Sequence, residues 1–318
     1  MTPNTFGAAE PPDFPDQAPT KRLKLTRRHA FAVFGAGALA VGLPAALAAE
    51  PVRERRAVRT IALFRQDAVC VMSAEVTQGP YYISGQLVRQ DITEGKQGFP
   101  LNITMTVVDY TDGCNTPMAG LPVEIWHCDA WGYYSAYTTT SPGGTVPAYD
   151  NVGDPNTNLR GVQVTDDNGV VTFTSIVPGW YSPRVTHIHV KVHQGGDIGT
   201  TYQNGTSLHT TQLLFPDDVC QVYAVLDPYV QHQLAQTPLT QDQVYNEALS
   251  AGEDPTSMVP TLTPVNPDSL ADGYDLTITL GIDPNATSSD TGGPGGGGGP
   301  GPGGQPPTGP PGPPPTAP

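Results

Sequence analysis

Residues 178–189 place a tyrosine, an arginine and a His-x-His pair within twelve positions of each other. Side chains alternate between the two faces of a β-strand, so His187 and His189 would share one face of a strand that contains them. Ile188 and Val190 would then point to the opposite face. Two imidazoles two residues apart on one strand face can reach the same metal ion.

A second Gly-x-Tyr unit lies upstream at residues 132–134 and has the same form as residues 179–181. It makes Tyr134 and Tyr181 candidate anionic ligands, with Tyr133 as the alternative to Tyr134. Tyrosine has a pKa of about 10, so its phenolate needs a strong Lewis acid to form at neutral pH. Two phenolates and two imidazoles therefore predict a hard, anionic site suited to iron(III).

The same residue types also have structural interpretations. Taken alone, a His-x-His pair on a strand is more often a surface or core feature than a ligand pair, and a tyrosine after glycine often only packs. We interpret His127 as a core histidine with satisfied hydrogen bonds. His193 lies further along the strand and is expected to face solvent.

The N-terminal segment has the layout of an export signal. Arg27 and Arg28 precede a Gly/Ala-rich apolar run, and residues 46–48 offer a small-residue cleavage site. The run is shorter than the ~20 apolar residues of a membrane span, which makes a single anchor the weaker alternative. We expect residues 1–48 to be a twin-arginine signal peptide and the mature protein, without a stable membrane span, to be exported.

The charge balance argues against nucleic-acid binding. The net charge is −15, and loss of residues 1–48, with five basic and three acidic side chains, makes it −17. Such a surface repels nucleic acid and anionic lipid. Basic residues are scarce after residue 66, so Arg184, three residues before the histidine pair, is a candidate functional residue. The other four are Arg89, Lys96, Arg160 and Lys191.

The composition divides the chain into four parts. The signal peptide is followed by a lead-in segment at residues 49–69, in which a short helix is expected. Residues 70–286 show many short apolar or alternating runs, which predict one antiparallel β-sandwich with long loops and one or two short helices. Residues 287–318 are rich in Gly and Pro and are expected to be a disordered tail.

The individual elements can be placed along the sandwich domain. Residues 166–169 predict a hairpin turn, and a helix is expected at residues 242–251, with Thr240 and Gln243 as a capping box and Gly252 at its end. The predicted strands are residues 101–108, 123–126, 160–165, 170–175, 187–192, 210–215 and 274–280.

Four cysteines bear on stability and on the compartment: Cys70, Cys114, Cys128 and Cys220. An even number in an exported protein suggests disulfides, and three pairings are possible. Cys128, close to the candidate site, is alternatively a buried free thiol. The sequence leaves the pairing open, and also the oligomeric state, a homo-oligomer included.

The chain resembles the intradiol ring-cleavage dioxygenases, which are non-haem iron(III) enzymes that cut catechols between the two hydroxyl-bearing carbons. The resemblance extends over roughly residues 70–225 and is greatest with the exported bacterial branch. It is carried by residues 125–135, 178–181 and 184–189, with further matching pieces at residues 79–82, 159–161 and 211–215.

This resemblance implies a metal centre with four protein ligands. Tyr134 and Tyr181 would be the tyrosinate ligands, and His187 and His189 the imidazole ligands. Family members keep the tyrosinate that matches Tyr134 throughout turnover and release the one that matches Tyr181 when substrate binds.

It also implies the substrates and their contacts. Arg184 would stabilise negative charge on a catechol-type substrate, and Gln212 would lie near the substrate pocket. O2 would be the second substrate, and a muconate-type diacid the product. Apart from Arg89, Lys96 or Arg160, no second basic residue offers a partner for a ring carboxylate, which favours catechol or hydroxyquinol over protocatechuate.

Two other classes of function are weighed against the dioxygenase. One is a non-catalytic β-sandwich module that binds aromatics or carbohydrate, suggested by Trp126, Trp131 and Trp180. The other is a copper or zinc β-sandwich protein that combines the His-x-His pair with His127 or His209.

Overall fold

Two four-stranded β-sheets stack face to face in the computed structural model of the chain, which describes residues 70–138, 141, 152–232 and 234–288. The predicted signal peptide and lead-in segment lie outside these residues, as does the tail beyond Ser288. Those three assignments, and the export that follows from the first, stay predictions.

The strands and helices of the described residues follow one another in a simple order. The strands are β1 (Pro100–Asp109), β2 (Pro122–Trp126), β3 (Arg160–Val164), β4 (Val170–Ile176), β5 (His187–Gln194), β6 (Asp197–Ile198), β7 (Tyr202–Gln203), β8 (Thr206–Leu214), β9 (Thr261–Pro264) and β10 (Tyr274–Ile282). The α-helices are α1 (Asp217–Tyr223) and α2 (Gln243–Ala251).

The first sheet has the strand order β4–β1–β10–β9 and the second has the order β3–β2–β5–β8, while β6 and β7 form a small ribbon. Neighbouring strands are antiparallel except β1 and β10, which pair in parallel although they lie at opposite ends of the domain. The all-β sandwich is therefore confirmed, with one parallel pair that the sequence did not predict.

The turn at residues 166–169 forms, but the predicted hairpin is wrong. The amide of Gly169 donates to the carbonyl oxygen of Asp166, as a tight turn requires. Its flanking strands nevertheless belong to different sheets, since β3 pairs with β2 and β4 pairs with β1. The long ladder between β4 and β1 decides sheet membership, and the turn only reverses the chain between the sheets.

Strand β5 contributes side chains both to the core and to the outward face of the second sheet. Ile188, Val190 and Val192 point into the apolar core between the sheets. The alternate residues point outward, yet all residues from His187 to His193 are buried. The prediction that His193 faces solvent is therefore wrong. Its Nε2 atom lies 2.9 Å from Oε2 of Glu124, and the ring of Tyr202 packs against it.

Helix α2 begins and ends close to the predicted residues, but its cap differs. Asp242, not Thr240, is the N-cap, and its carboxylate accepts hydrogen bonds from the amides of Val244 and Tyr245. Gly252 ends the helix in the left-handed conformation, as predicted. Within the described ranges no helix has the length and apolar run that a membrane crossing requires.

One disulfide joins Cys70 to Cys114, with the Cα atoms 5.6 Å apart, whereas Cys128 and Cys220 are buried free thiols. The bond connects the first described residue to the loop that follows β1. The two cysteines are 44 residues apart in sequence, so the bond restricts a long loop of the unfolded chain.

We expect the double variant Cys70→Ser/Cys114→Ser to lower the free energy of unfolding by about 2–4 kcal/mol, because the unfolded chain regains the entropy of that loop. Urea unfolding with and without a thiol reductant measures it. Reductant should bring the wild-type protein to the level of the variant and leave the variant unchanged. Equal stabilities of the wild-type protein and the variant without reductant would contradict a disulfide between Cys70 and Cys114.

Candidate metal centre

The four predicted ligands meet on the outward face of the second sheet. The hydroxyl oxygen of Tyr134 lies 3.2 Å from Nε2 of both His187 and His189, and 3.3 Å from the hydroxyl oxygen of Tyr181. The hydroxyl oxygen of Tyr181 lies 3.0 Å from Nε2 of His187. Tyr134 comes from the loop after β2, Tyr181 from the loop before β5, and both histidines from β5.

These separations fit one shared metal ion. Donors at about 2.0–2.1 Å from a first-row metal, at angles of about 90–110°, lie about 2.9–3.4 Å from each other. In the described part of the chain, no group of three or more His, Cys, Asp or Glu side chains could hold a metal. A complete donor set at this place therefore depends on the two tyrosines.

The two histidines are oriented by different means. Nδ1 of His187 lies 2.6 Å from the carbonyl oxygen of Val185, which only accepts, so Nδ1 carries the proton and Nε2 presents its lone pair. Nδ1 of His189 is buried and has no hydrogen-bond partner among the described residues. Its ring instead lies parallel to the indole of Trp126, with centroids 4.9 Å apart and planes 4° apart.

Burial controls the protonation of all four groups. It raises the pKa of Tyr134 and of Tyr181 well above the ordinary value of 10.0. It lowers the pKa of His187 to about 3, with a further contribution from the charge of Arg184, and it also lowers the pKa of His189. Neutral imidazoles are ready to bind a metal, whereas the phenolates require a strongly Lewis-acidic cation beside them.

Arg184 and Gln212 are joined to each other at the edge of this centre. Nη2 of Arg184 donates to Oε1 of Gln212 at 2.6 Å, and Nε of Arg184 donates to Oδ2 of Asp242 at 2.8 Å. Nε2 of Gln212 donates to the carbonyl oxygen of Thr77 at 2.8 Å. The guanidinium is thus hydrogen-bonded on two sides, by Asp242 and by Gln212, and both of these side chains also bond to the backbone.

Sequence reasoning missed Asp242 as the partner of Arg184. The available signal was its place at the start of α2, where a carboxylate caps the helix. It also missed Trp126 as the ring that packs on His189. Trp131 and Trp180, which suggested the aromatic- or carbohydrate-binding module, are buried members of the apolar core cluster.

The alternative ligand candidates, one tyrosine and two histidines, make other contacts in the structure. Tyr134 is fully buried beside Tyr181, whereas Tyr133 is only partly buried and packs against the apolar core. The ring nitrogens of His127 lie 2.7 Å from the carbonyl oxygen of Cys128 and 2.7 Å from Oγ of Ser175. His209, the other histidine considered as a ligand, has its Nδ1 atom 2.8 Å from Oε2 of Glu75.

Comparison with known proteins defines the class. The family model described as Dioxygenase (Dioxygenase_C) matches residues 77–254. A solved structure, the intradiol ring-cleavage dioxygenase from Tetranychus urticae, is 30% identical with a TM-score of 0.56, and the match covers 69% of this chain and 98% of that chain. The chain belongs to the intradiol ring-cleavage dioxygenase family.

Curated relatives match over a shorter region. The chain is 30% identical over 109 residues to catechol 1,2-dioxygenase of Acinetobacter baylyi and 32% identical over 109 residues to catechol 1,2-dioxygenase 1 of Acinetobacter lwoffii. Each match covers 33% of this chain and 30% of the relative, so the chain matches less than a third of the length of these relatives.

The ion pair between Asp242 and Arg184 predicts a pH-dependent contribution to stability. Burial alone would raise the pKa of Asp242, but the charge and hydrogen bonds of Arg184 lower it below its ordinary value of 3.8. Because the folded-state pKa is the lower one, the contribution is fully present above pH 3.8 and is lost as the pH falls through the folded-state pKa.

Asp242→Asn is expected to lower the free energy of unfolding by about 3–5 kcal/mol at pH 7, because it leaves a buried guanidinium without its counter-charge. The loss should begin to shrink below pH 3.8, where Asp242 of the unfolded wild-type chain takes up a proton, and should end below the lower folded-state pKa. Urea unfolding across this pH range measures it, with Glu247→Gln on the same helix as the control. A loss that stays constant down to pH 2 would rule out the ion pair as its cause.

Proposed function

We propose that this chain is a non-haem iron(III) enzyme that uses O2 to cleave a catechol ring between its two hydroxylated carbons, giving a muconate-type diacid. The observation that carries the proposal is the convergence of two phenol and two imidazole donors at separations of 3.0–3.3 Å. Membership of the intradiol family supports it. Iron(III) bound there would supply the Lewis acidity that ionises the phenols and withdraws electron density from the ring.

Tyr181 is the proposed proton acceptor during substrate binding. A catechol that binds as a dianion must lose two hydroxyl protons. The Oη atom of a freed Tyr181 phenolate would take one of them, and a hydroxide ion would take the other to form water. Burial raises the pKa of Tyr181, so its freed phenolate is a strong base. Tyr181 keeps some exposure, 7%, whereas Tyr134 has none, which supports Tyr134 as the ligand that stays.

Arg184 is proposed to stabilise negative charge that develops on the substrate ring. Its guanidinium is fixed by Asp242 and Gln212, so it needs little reorganisation when that charge appears. The neighbouring carboxylate raises the pKa of Arg184 against the effect of burial, which keeps the group charged.

The hydrogen bonds and ion pairs of the basic residues favour a substrate without an ionised ring substituent. Arg184 is assigned to the substrate ring itself, and every other lysine and arginine in the described residues also has a protein partner. The pairs are Arg89 with Glu94, Lys96 with Asp129, Arg160 with Ser135, Arg184 with Asp242 and Lys191 with Gln78. Catechol or hydroxyquinol therefore suits the site better than protocatechuate.

The purified full-length protein is expected to bind about one iron per chain and to show a broad visible tyrosinate band that shifts when catechol is added without oxygen. Tyr134→Phe and His187→Ala should each lower iron affinity or turnover by more than about 100-fold, because each removes a ligand. Iron analysis, the visible spectrum and oxygen consumption measure these effects. The matched control is Tyr133→Phe in the same loop, which should retain the wild-type spectrum.

Two outcomes would contradict the proposed function. One is full activity of Tyr134→Phe or His187→Ala. The other is a wild-type protein that stays colourless after reconstitution with iron(III), which would favour the aromatic- or carbohydrate-binding module.

Protocatechuate should be turned over with a kcat/KM at least about tenfold below that of catechol, since its carboxylate would be buried without a cationic partner. Steady-state oxygen consumption with both substrates at one pH and salt concentration tests this. A preference for protocatechuate would show that a basic residue reaches the substrate.

A further inference from the structure

Residues 77–82, called the covering segment below, form an outer wall against the metal centre. Five of the six residues lie against side chains in or next to the centre. The carbonyl oxygen of Thr77 accepts a hydrogen bond from Gln212, and Oε1 of Gln78 accepts one from Lys191. Gly79 lies against His189. The ring of Tyr81 stacks on Tyr134 with centroids 4.5 Å apart, and the ring of Tyr82 packs on Trp126 with centroids 5.1 Å apart.

Gly79 lies beside the ring of His189. A Cβ atom built on Gly79 would lie 3.1 Å from Cε1 of His189, which is tighter than ordinary van der Waals contact. Cε1 is the ring carbon between the two nitrogens, so a push at that atom turns or shifts Nε2 directly. Gly79 also has a φ of 71°, a left-handed conformation that glycine adopts without strain.

The orientation of His189 depends on such packing. Its Nδ1 atom makes no hydrogen bond to the described residues, so it lacks the link to a neighbour that fixes most metal-binding histidines. The indole of Trp126 lies parallel to the ring, and the position that a Cβ atom on Gly79 would take lies 3.1 Å from Cε1 at the ring edge. His187 differs, because the carbonyl oxygen of Val185 fixes its ring.

We propose that Gly79 is a positioning residue of the metal centre: the absence of a side chain lets the covering segment close against His189 and, with Trp126, hold Nε2 of that histidine toward Tyr134. The inference rests on the proposed function, because it assigns His189 as a ligand. It extends the centre to a segment more than 100 residues away from His189 in sequence.

The chain contains a matched control for this role. Gly85 lies in the same N-terminal part of the domain and has a φ of 78°, close to that of Gly79. A Cβ atom on Gly85 would meet nothing within 4 Å. Gly79→Ala and Gly85→Ala therefore introduce similar backbone strain, and only Gly79→Ala adds a contact with His189.

The experiment compares full-length wild-type, Gly79→Ala and Gly85→Ala proteins. The readouts are the dissociation constant for iron(III) and the position and intensity of the visible tyrosinate band, with the free energy of unfolding of the metal-free proteins as the measure of strain. Gly79→Ala is expected to bind iron about 10–100-fold more weakly than Gly85→Ala and to shift the band. Both variants should lose similar stability.

Gly79→Ala and Gly85→Ala proteins with the same iron affinity and spectrum would overturn the inference while leaving the proposed function intact. A wild-type protein without an iron centre would overturn both. If Gly79→Ala does not fold, Trp126→Phe and Trp126→Leu replace it in the test. The flat phenyl ring should preserve iron affinity better than the leucine side chain, and equal affinities would overturn the inference.

Discussion

The two-residue repeat of β5 is the constraint on which the rest of the structure depends. Because successive side chains point to opposite faces, the residues that fill the apolar core also fix where His187 and His189 project. A shift of one residue in the pairing of β5 with β2 or β8 would send the imidazoles into the core and the apolar side chains into the centre. Core packing and the centre therefore enforce the same register.

A second constraint follows from the burial of polar groups on the outward face of the same sheet. Tyr134, His187 and His189 are almost fully removed from water, and each of them favours its neutral form there. The charged groups next to them are paired, as Arg184 is with Asp242. Burying polar groups without partners costs free energy, which explains why Arg184, Gln212 and His187 are each tied to neighbours by hydrogen bonds.

Local patterns predicted seven of the ten strands in the described residues, but not β6, β7 and β9. The Gly-x-Tyr and His-x-His spacings, which are properties of short segments, indicated the candidate ligands, and the family resemblance favoured Tyr134 over Tyr133. The other features that the sequence did not predict are contacts between distant segments. The parallel pairing of β1 with β10, the burial of His193 beside Glu124, and the pairing of Asp242 with Arg184 each join parts of the chain that no local pattern relates. The false hairpin at residues 166–169 has the same cause, since a turn motif carries no information about sheet membership.

The parallel pairing of β1 with β10 also bears on the synthesis of the protein. β1 lies between β4 and β10, so one of its edges has no partner until the chain has been made as far as Ile282. A ribosome releases the chain from its N-terminus onward, and the strand needed to complete the first sheet is the last to emerge. The sandwich therefore closes only after synthesis of nearly the whole domain, and until then an exposed strand edge has to be kept from pairing with other chains.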